Sequence, residues 1–276
     1  MKKIIFTKDQ LNDIYNMYQK GNSLRIIQEK FGVSQTVLNR IFKENNWKLR
    51  KKTDHMTLYS VNEHVFDQID TPDKAYCMGL FYADGCNHIK EGNISIELQS
   101  RDRAVLEGIN RITNNTRPIK TYPGGKNLRK QDTCVLVIHS FYLSNRMNEL
   151  GFIPRKSLSL DFPNWITKEL FPFFLKGYID GDGWVQKYVI GFMSSDKFCY
   201  GVQKYLIDNY GIDSKVMDMK RHYSEHTKTL YICNRKNLYP LTELMFSKET
   251  IGIPRKIQRY IEYGFLKENI NNSLSA

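Results

Sequence analysis

Hydrophobic residues recur with helical spacing through the first fifty positions of the chain, and this period predicts three short helices. The first helix begins after a capping box formed by Thr7 and Gln10. The second and third begin at Ser23 and Ser34, and Gly32 forms the tight turn between them. The inward apolar positions are Leu11, Ile14, Tyr15, Tyr18, Ile26, Ile27, Phe31, Val37, Leu38, Ile41 and Phe42.

From about residue 70, short stretches alternate apolar and polar residues, which is typical of half-buried strands. In the first stretch Ile94, Ile96 and Leu98 face one way, and the polar residues between them face the other. The predicted strands are Ile94–Gln99, Cys134–Ile138, Tyr188–Phe192, Lys215–His222 and Thr229–Cys233. A helix capped by Asp102 follows the first strand, and a helix capped by Asp196 follows the third.

The whole pattern occurs twice. Each copy closes with the residues Ile-Pro-Arg-Lys, and the two prolines, Pro154 and Pro254, lie 100 positions apart. Self-similarity at a fixed offset indicates an internal duplication. We therefore predict two repeats, residues 71–165 and 166–265, related by a pseudo-two-fold axis, in a chain of the α+β class.

The net charge of the chain indicates which class of partner it binds. Its 276 residues include 41 Lys and Arg against 29 Asp and Glu, a formal charge of +12, which favours nucleic acid over an anionic membrane surface. Five cysteines lie scattered without a Cys-x-x-Cys pair, as expected in a reducing compartment. No signal peptide and no apolar run of about 20 residues is present, so we expect a soluble cytoplasmic protein without a membrane partner.

The excess positive charge is concentrated in the first 52 residues, and the third predicted helix presents a polar outward face there. Ser34 precedes this helix, and a basic run, Lys48–Lys52, follows it. Its outward residues are Gln35, Thr36, Asn39, Arg40 and Lys43. Such residues read base edges and phosphates, although a solvated face of a small bundle has the same composition. We predict a helix-turn-helix domain at residues 1–50 and a linker at 51–70.

Two related segments carry the candidate chemistry, Cys77–Gly85 and Leu175–Gly183. Each has small residues four apart on one helical face, which lets two helices approach closely. The small residues are Gly79 with Ala83 and Gly177 with Gly181. Each segment ends in Asp-Gly, with the glycine expected in the left-handed conformation. A lone Asp-Gly is an ordinary helix end, but two copies would bring Asp84 and Asp182 together, where a cation such as Mg²⁺ offsets their repulsion.

In these segments the chain resembles the LAGLIDADG homing endonucleases, in the single-chain form with two motifs, and the resemblance covers about 195 residues. It implies that each repeat is αββαββα, that the motif helices form the interface between repeats, and that the two sheets form a saddle over duplex DNA. The N-terminal domain resembles the homeodomain-like domains of resolvases. Residues 266–276 would form a tail, and the protein would act as a monomer.

The resemblance also implies site residues. The carbonyl groups of Ala83 and Gly181 would join Asp84 and Asp182 in holding Mg²⁺. Gln99 and Lys236 match further catalytic positions, whose counterparts in the other repeat are Ser194 and Phe141. Asp180 is expected only to form a helix-end hydrogen bond. The residues expected to face DNA from the repeats are Ser95, Glu97, Lys120, Lys126, Arg129, Lys130, Lys215, Lys220 and Arg221.

Three functions are compatible with these features. The first is a site-specific endonuclease that makes a double-strand break in DNA with Mg²⁺, because divalent metals supply much of phosphodiester hydrolysis. The second is a DNA-binding regulator that kept the scaffold and lost the chemistry, since function resides in sites and not in folds. The third is an intron RNA maturase, for which intron RNA replaces DNA as the partner.

Overall fold

The chain contains two compact units, each with a hydrophobic core of its own. The computed structural model describes residues 6–49, 58–125, 130–218 and 227–266. The first unit comprises Met1–Ser60 and the second comprises Val61–Ala276.

The described part of the first unit has three helices, α1 (Lys8–Gln19), α2 (Leu24–Phe31) and α3 (Gln35–Glu44). The capping box at Thr7 and Gln10 is confirmed, because each side chain accepts a hydrogen bond from the other residue's backbone N–H. Ser23 caps α2, and Gly32 is left-handed with φ of 64°, as predicted. Ser34 precedes α3 but its side chain makes no capping hydrogen bond.

The apolar positions of these helices meet in a small core. Its fully buried members are Ile14, Tyr18, Ile27, Leu38, Ile41 and Phe42. Burying side chains of this size contributes about 1.5–3 kcal/mol each. Ile26 was expected to face inward, but it is 47% exposed because its neighbour Ile27 takes the inward position. The Tyr15 ring lies 4.7 Å from the Trp47 ring and extends the core at one side.

The second unit consists of two halves with the same order of elements, which confirms αββαββα in each. The first half contains α4 (Pro72–Asp84), β1 (Gly85–His88), β2 (Asn93–Gln99), α5 (Arg103–Thr113), β3 (Lys120–Tyr122), β4 (Thr133–His139) and α6 (Phe141–Glu149). The second half contains α7 (Phe171–Asp182), β5 (Gly183–Gln186), β6 (Val189–Ser195), α8 (Asp196–Tyr210), β7 (Lys215–Asp218), β8 (Thr227–Cys233) and α9 (Arg235–Met245). Helix α10 (Pro254–Glu262) follows.

Each half holds a four-stranded antiparallel sheet, in the orders β1-β2-β4-β3 and β5-β6-β8-β7. The registers of the two sheets correspond, since Gly85 pairs with Ile96 and Gly183 pairs with Phe192. Alternation along the central strands places one face on the core, where Ile94, Ile96 and Leu98 are buried, and leaves the other outward.

Several local predictions were wrong at the ends of elements. Gly85 and Gly183 have φ of −74° and −93°, not left-handed values, because the chain passes directly from each helix into a strand. Helix α8 is capped by Ser195, whose side chain accepts from the Phe198 N–H, so Asp196 is its first residue. The strand predicted at Lys215–His222 ends at Asp218, and its remainder lies outside the described residues.

Helices α4 and α7 pack closely along their small residues, as their spacing predicted. A Cβ atom on Gly79 would lie 1.9 Å from the Phe174 carbonyl oxygen, and one on Gly177 would lie 2.1 Å from that of Tyr76. Both distances are far below van der Waals contact, so only glycine fits at these positions. Because the two helices also lie under both sheets, one hydrophobic core runs through both halves.

Candidate active site

The close packing of α4 and α7 brings the last residues of both helices to the same place. Asp84 ends α4 and Asp182 ends α7. The Asp84 Oδ2 atom lies 3.1 Å from the position that a Cβ on Gly181 would take, directly beside the opposite helix. Both aspartates reach solvent. Two carboxylates therefore stand side by side at one end of the helix pair, open to a ligand from outside.

The surroundings of these carboxyl groups favour their protonated forms. Partial loss of water and the negative charge of Asp182 raise the pKa of Asp84 to about 6. Loss of water also raises the pKa of Asp182. Positive charge from Lys156 and Lys256 opposes both shifts. Like charges in a poorly hydrated site disfavour double ionisation, and a cation would relieve this.

Two lysines lie at the site that were not among the residues expected there from the sequence. Lys156 Nζ donates to the Gly85 carbonyl at 2.6 Å. Lys256 Nζ donates to the carbonyls of Ile179 and Gly183, at 2.5 and 2.8 Å. Burial lowers the pKa of each lysine, while the nearby aspartates act in the opposite direction. The signal was the Ile-Pro-Arg-Lys sequence that closes both repeats, whose last residue reaches the end of the motif helix in each half.

The donors at this site suit a hard divalent cation. Among the described residues no group of three or more His, Cys, Asp or Glu side chains could hold a metal ion. Mg²⁺ needs fewer, since it keeps several waters and is usually bound through one or two carboxylates plus substrate phosphates. Asp84 and Asp182 meet this requirement. Ala83 and Gly181, the residues predicted to supply carbonyl ligands, lie in the last turns of α4 and α7. The Gly181 carbonyl oxygen lies 3.5 Å from Lys256 Nζ.

Buried polar contacts fix the end of the second half against both motif helices. Asp180 accepts hydrogen bonds from the Tyr76 hydroxyl at 2.7 Å and from the Ile253 N–H at 3.0 Å. Asp180 is therefore held inside the core and links α7 to α4 and to Ile253, in place of the expected hydrogen bond at the end of its own helix. Close by in sequence, Arg255 pairs with Asp102 of the first half at 3.0 Å. The segment that carries Lys256 is thus anchored on both sides.

The helix-capping role predicted for Asp102 is not what its side chain does. Asp102 stands at the N-cap of α5 but makes no capping hydrogen bond. Its carboxylate, which is only 3% exposed, instead accepts from the Arg255 guanidinium. A charge-assisted pair outcompetes a capping bond here because the guanidinium is positive and the site is shielded from water.

Gln99 lies at the end of β2 nearest to Asp84. Gly85, the residue after Asp84, pairs with Ile96 of β2. Gln99 therefore lies three residues further along β2, beyond the end of β1 where Asp84 stands. Its Oε1 atom is buried and has no hydrogen-bond partner among the described residues. The counterpart of Gln99 is Ser195 and not Ser194, because Gln99 pairs with Thr133 and Ser195 pairs with Thr227 in the equivalent registers.

The two serines of the second half are engaged in the core. Ser195 caps α8 and donates to the Leu160 carbonyl. Ser194 accepts from the Tyr178 hydroxyl at 2.8 Å. The carboxamide of the first half therefore has no free equivalent in the second, and the two halves differ beside the carboxylates.

Lys236 does not join the carboxylates. It follows β8, whose last residue, Cys233, pairs with Val189, and Val189 pairs with Gln186. Gln186 is four residues from Asp182 along an extended strand, a distance of roughly 13 Å. The predicted catalytic role of Lys236 is thus unsupported by its position. Its counterpart is Tyr142, not Phe141, because α6 and α9 each begin one residue after their N-caps, Ser140 and Asn234.

The residues predicted to contact DNA are mostly exposed. On α3, Gln35, Thr36, Asn39 and Lys43 are exposed, whereas Arg40 is partly covered and lies 3.8 Å from Glu44. In the repeats the exposed members are Glu97, Lys120, Lys130 and Lys215, and Ser95 is half-buried. Glu97 accepts a hydrogen bond from the Thr133 hydroxyl at 2.6 Å. Lys126, Arg129, Lys220 and Arg221 lie outside the described residues.

Comparison with known proteins identifies part of this architecture. The family described as "LAGLIDADG-like domain" matches residues 173–245, which span most of the second half. No curated protein matches the chain. Among the described residues, none of the helices has both the length and the hydrophobicity that crossing a bilayer requires.

Solved structures resemble the chain in fold. The homing endonuclease I-WcaI bound to its DNA recognition sequence is 14% identical, with a TM-score of 0.51, over 79% of this chain and 96% of its own. I-DmoI in complex with DNA and Ca is 16% identical, with a TM-score of 0.47, over 71% and 97%. Full-length WhiA from Thermatoga maritima is 16% identical, with a TM-score of 0.45, over 77% and 72%.

Proposed function

We propose that the chain is a site-specific endonuclease that makes a metal-dependent double-strand break in duplex DNA by phosphodiester hydrolysis. The proposal rests on one observation, the two adjacent carboxylates of Asp84 and Asp182. One lysine from each half, Lys156 and Lys256, lies near them. Hydrolysis of a phosphodiester requires an activated water and stabilisation of charge at phosphorus, and this arrangement supports both. The matching halves support the single-chain form with two motifs.

Asp84 and Asp182 would hold Mg²⁺ together with the carbonyl groups of Ala83 and Gly181. When bound, the metal supplies charge neutralisation and lowers the pKa of water. Lys156 and Lys256 place two ammonium groups beside the carboxylates, where they stabilise additional negative charge on a phosphate. The same lysines bind the helix-end carbonyls and so fix the backbone that orients each aspartate. The unpartnered Oε1 atom of Gln99 would accept a hydrogen bond from a water molecule and orient it.

Duplex DNA is the partner that the charge and the fold support. The formal charge is +12, and I-WcaI, which shares the fold, was solved on its DNA recognition sequence. The outward faces of the two sheets would flank the DNA on either side of the carboxylates, as a saddle. The helix-turn-helix domain at residues 1–50 would bind adjacent DNA through α3 and raise the effective concentration of the catalytic unit. The linker that joins them ends before Val61 and is shorter than the predicted 51–70, because Val65 and Phe66 are buried in the core of the second unit.

The test is cleavage of duplex DNA that carries the uninterrupted form of the gene's own locus, with Mg²⁺ and with EDTA. We expect cutting with Mg²⁺ alone. Asp84→Asn and Asp182→Asn should each abolish the cutting of at least one strand and leave DNA affinity within about threefold, since binding rests on phosphate contacts elsewhere. Asp213→Asn, at an exposed carboxylate before β7, is the matched control and should cut normally.

Other outcomes would identify the alternative functions. Undiminished double-strand cutting by both site variants would exclude this active site. Specific DNA binding without cutting would favour a regulator on the same scaffold. Preference for intron RNA over duplex DNA would favour a maturase.

A further inference from the structure

A second basic site lies in the second half, at the end of the sheet away from the carboxylates. There the β5–β6 turn and the start of α9 enclose an open cavity of about 580 Å³. Its walls include Lys187, Tyr188, Asn234, Arg235, Tyr239 and Tyr263. We call it the tyrosine cavity. The proposed hydrolysis uses none of these residues, so the cavity calls for an explanation of its own.

The side chains at the mouth of this cavity are free to meet a ligand. Tyr188 is 64% exposed, and Lys187 Nζ lies 5.4 Å from the centre of its ring. Arg235 and Lys236 are exposed at the start of α9. No acidic side chain lines the cavity among the described residues. An aromatic face ringed by positive charge attracts ligands that are both flat and anionic.

The backbone at the cavity is strained. Asn234 has φ of 69° and ψ of 140°, a conformation that residues other than glycine rarely adopt. Its side chain makes no capping hydrogen bond to α9, so capping does not explain the strain. Residues in such conformations cluster at active sites and ligand clamps, where the surrounding structure maintains the strain.

In the first half a cavity at the β1–β2 turn opens towards Pro154 and Arg155, but the place between this turn and the start of α6 is filled. Phe141 packs on Gly92 in the corresponding β1–β2 turn, where a Cβ would lie 2.7 Å from its ring. The Ser140 hydroxyl donates to Glu63 Oε2 at 2.9 Å, so the segment before α4 packs against the start of α6. Arg146 holds that segment through the carbonyl of Asp67 at 2.9 Å. The open cavity therefore does not follow from the fold, since the duplicate of the same fold fills the equivalent place.

We propose that the tyrosine cavity binds an unstacked base of a single-stranded nucleic acid. Tyr188 would stack on the base, and Lys187, Arg235 and Lys236 would bind the flanking phosphates. The volume lies in the range of small-ligand sites, and aromatic faces with adjacent cations are the usual means of binding single strands without sequence preference. The argument does not depend on cleavage of duplex DNA.

The experiment measures fluorescence anisotropy of labelled dT and rU oligonucleotides of about twelve nucleotides with the full chain in EDTA. We expect Tyr188→Ala to weaken binding roughly 5- to 150-fold, as loss of one stacking contact does, and Tyr188→Phe to retain it. Arg235→Ala with Lys236→Ala should reduce the slope of log affinity against log salt by about 1.4, for two lost phosphate contacts.

Tyr200→Ala is the matched control, because Tyr200 is 52% exposed on α8 of the same half and lines no part of the cavity. It should bind as the parent chain does. Binding of both oligonucleotides, or of one only, supports the proposal and identifies the sugar preference. Equal affinity of Tyr188→Ala and the parent chain, or an equal loss in Tyr200→Ala, overturns it. Because these measurements use single strands without metal, their outcome is separate from that of the cleavage test.

Discussion

The two halves of the second unit share the element order αββαββα, yet their solvent-facing residues differ. The outward positions of β2 are Ser95, Glu97 and Gln99, which are all polar. Their register counterparts on β6 are Gly191, Met193 and Ser195. Over Gly191 lies the Trp184 ring, since a Cβ there would be 2.7 Å from it. The duplication thus preserved the frame and altered the surface.

The Ile-Pro-Arg-Lys segments that end the two halves also make different contacts. Lys256 donates to two helix-end carbonyls at short distance, and its neighbour Arg255 reaches Asp102 in the other half. Lys156 makes one such bond, and its neighbour Arg155 has a left-handed φ of 54°. What both halves retain is a lysine at the end of the motif helix. The comparison teaches that the two closing segments share this lysine contact although their other contacts differ.

The largest expected difference concerns these two lysines. Lys256→Met removes two charge-assisted hydrogen bonds, to the carbonyls of Ile179 and Gly183, which costs about 2–4 kcal/mol, whereas Lys156→Met removes one, at about 1–2 kcal/mol. We therefore expect a larger fall of Tm for Lys256→Met, roughly 4–16 °C against 2–8 °C. Thermal unfolding followed by circular dichroism measures both. Equal falls would show that the closures are equivalent after all.

A smaller effect should appear at the carboxylates. The pKa of Asp84 is raised to about 6, so the folded state binds its proton more tightly than the unfolded state does. As pH rises from about 4 to 6, the free energy of unfolding therefore falls, because the unfolded state loses the Asp84 proton first. Above about pH 6 the ionised carboxylate keeps the folded state less stable by a constant amount. Asp84→Asn should raise Tm in EDTA at pH 7.5 by about 2–4 °C, discounted for solvent exposure, and give no rise at about pH 4.

Asp213→Asn provides the control for this measurement and should leave Tm unchanged at both pH values. Mg²⁺ should remove the advantage of Asp84→Asn at pH 7.5 if the carboxylate holds the ion. A rise at acidic pH that equals the rise at neutral pH would contradict the role of charge.

The smallest change in the free energy of unfolding is expected at the N-caps of α6 and α9, with opposite signs in the two halves. Asn234 and Ser140 occupy equivalent N-caps, but only Ser140 caps its helix, accepting from the Leu143 N–H at 3.1 Å. Asn234→Gly relieves a strained conformation and should stabilise the chain by about 1 kcal/mol. Ser140→Gly removes the cap and the contact to Glu63, and should destabilise it by about 1 kcal/mol. Urea unfolding resolves both, and equal signs would refute the strain at Asn234.

The frame of the fold was readable from the sequence because it rests on local periodicity. Alternation at Ile94–Gln99 and the small residues around Gly177 each express a spacing that the chain itself displays. The contacts that complete the site were not readable. Lys256 reaches Ile179 over 77 positions, and Arg255 reaches Asp102 over 153. Only the folded chain determines such pairs.

Other errors came from register. A shift of one residue separates Ser194 from Ser195, and in a strand such a shift moves a side chain to the opposite face. Lys236 was matched by its place after the last strand, although that strand runs away from the carboxylates. The glycines of the Asp-Gly pairs were expected in left-handed turns because the strands that begin at Gly85 and Gly183 are too short to show a period.

The contact of Gly79 and Gly177 with the opposite backbone also governs the order of assembly. The partner helix α7 is synthesised roughly a hundred residues after α4, and such long-range pairing slows folding. Until then the face of α4 around Gly79 has nothing to pack against, and an uncovered apolar surface invites misassembly on the ribosome. The duplicated halves therefore cannot mature one after the other. Although the second unit contains two similar halves, we expect it to fold as a single cooperative unit.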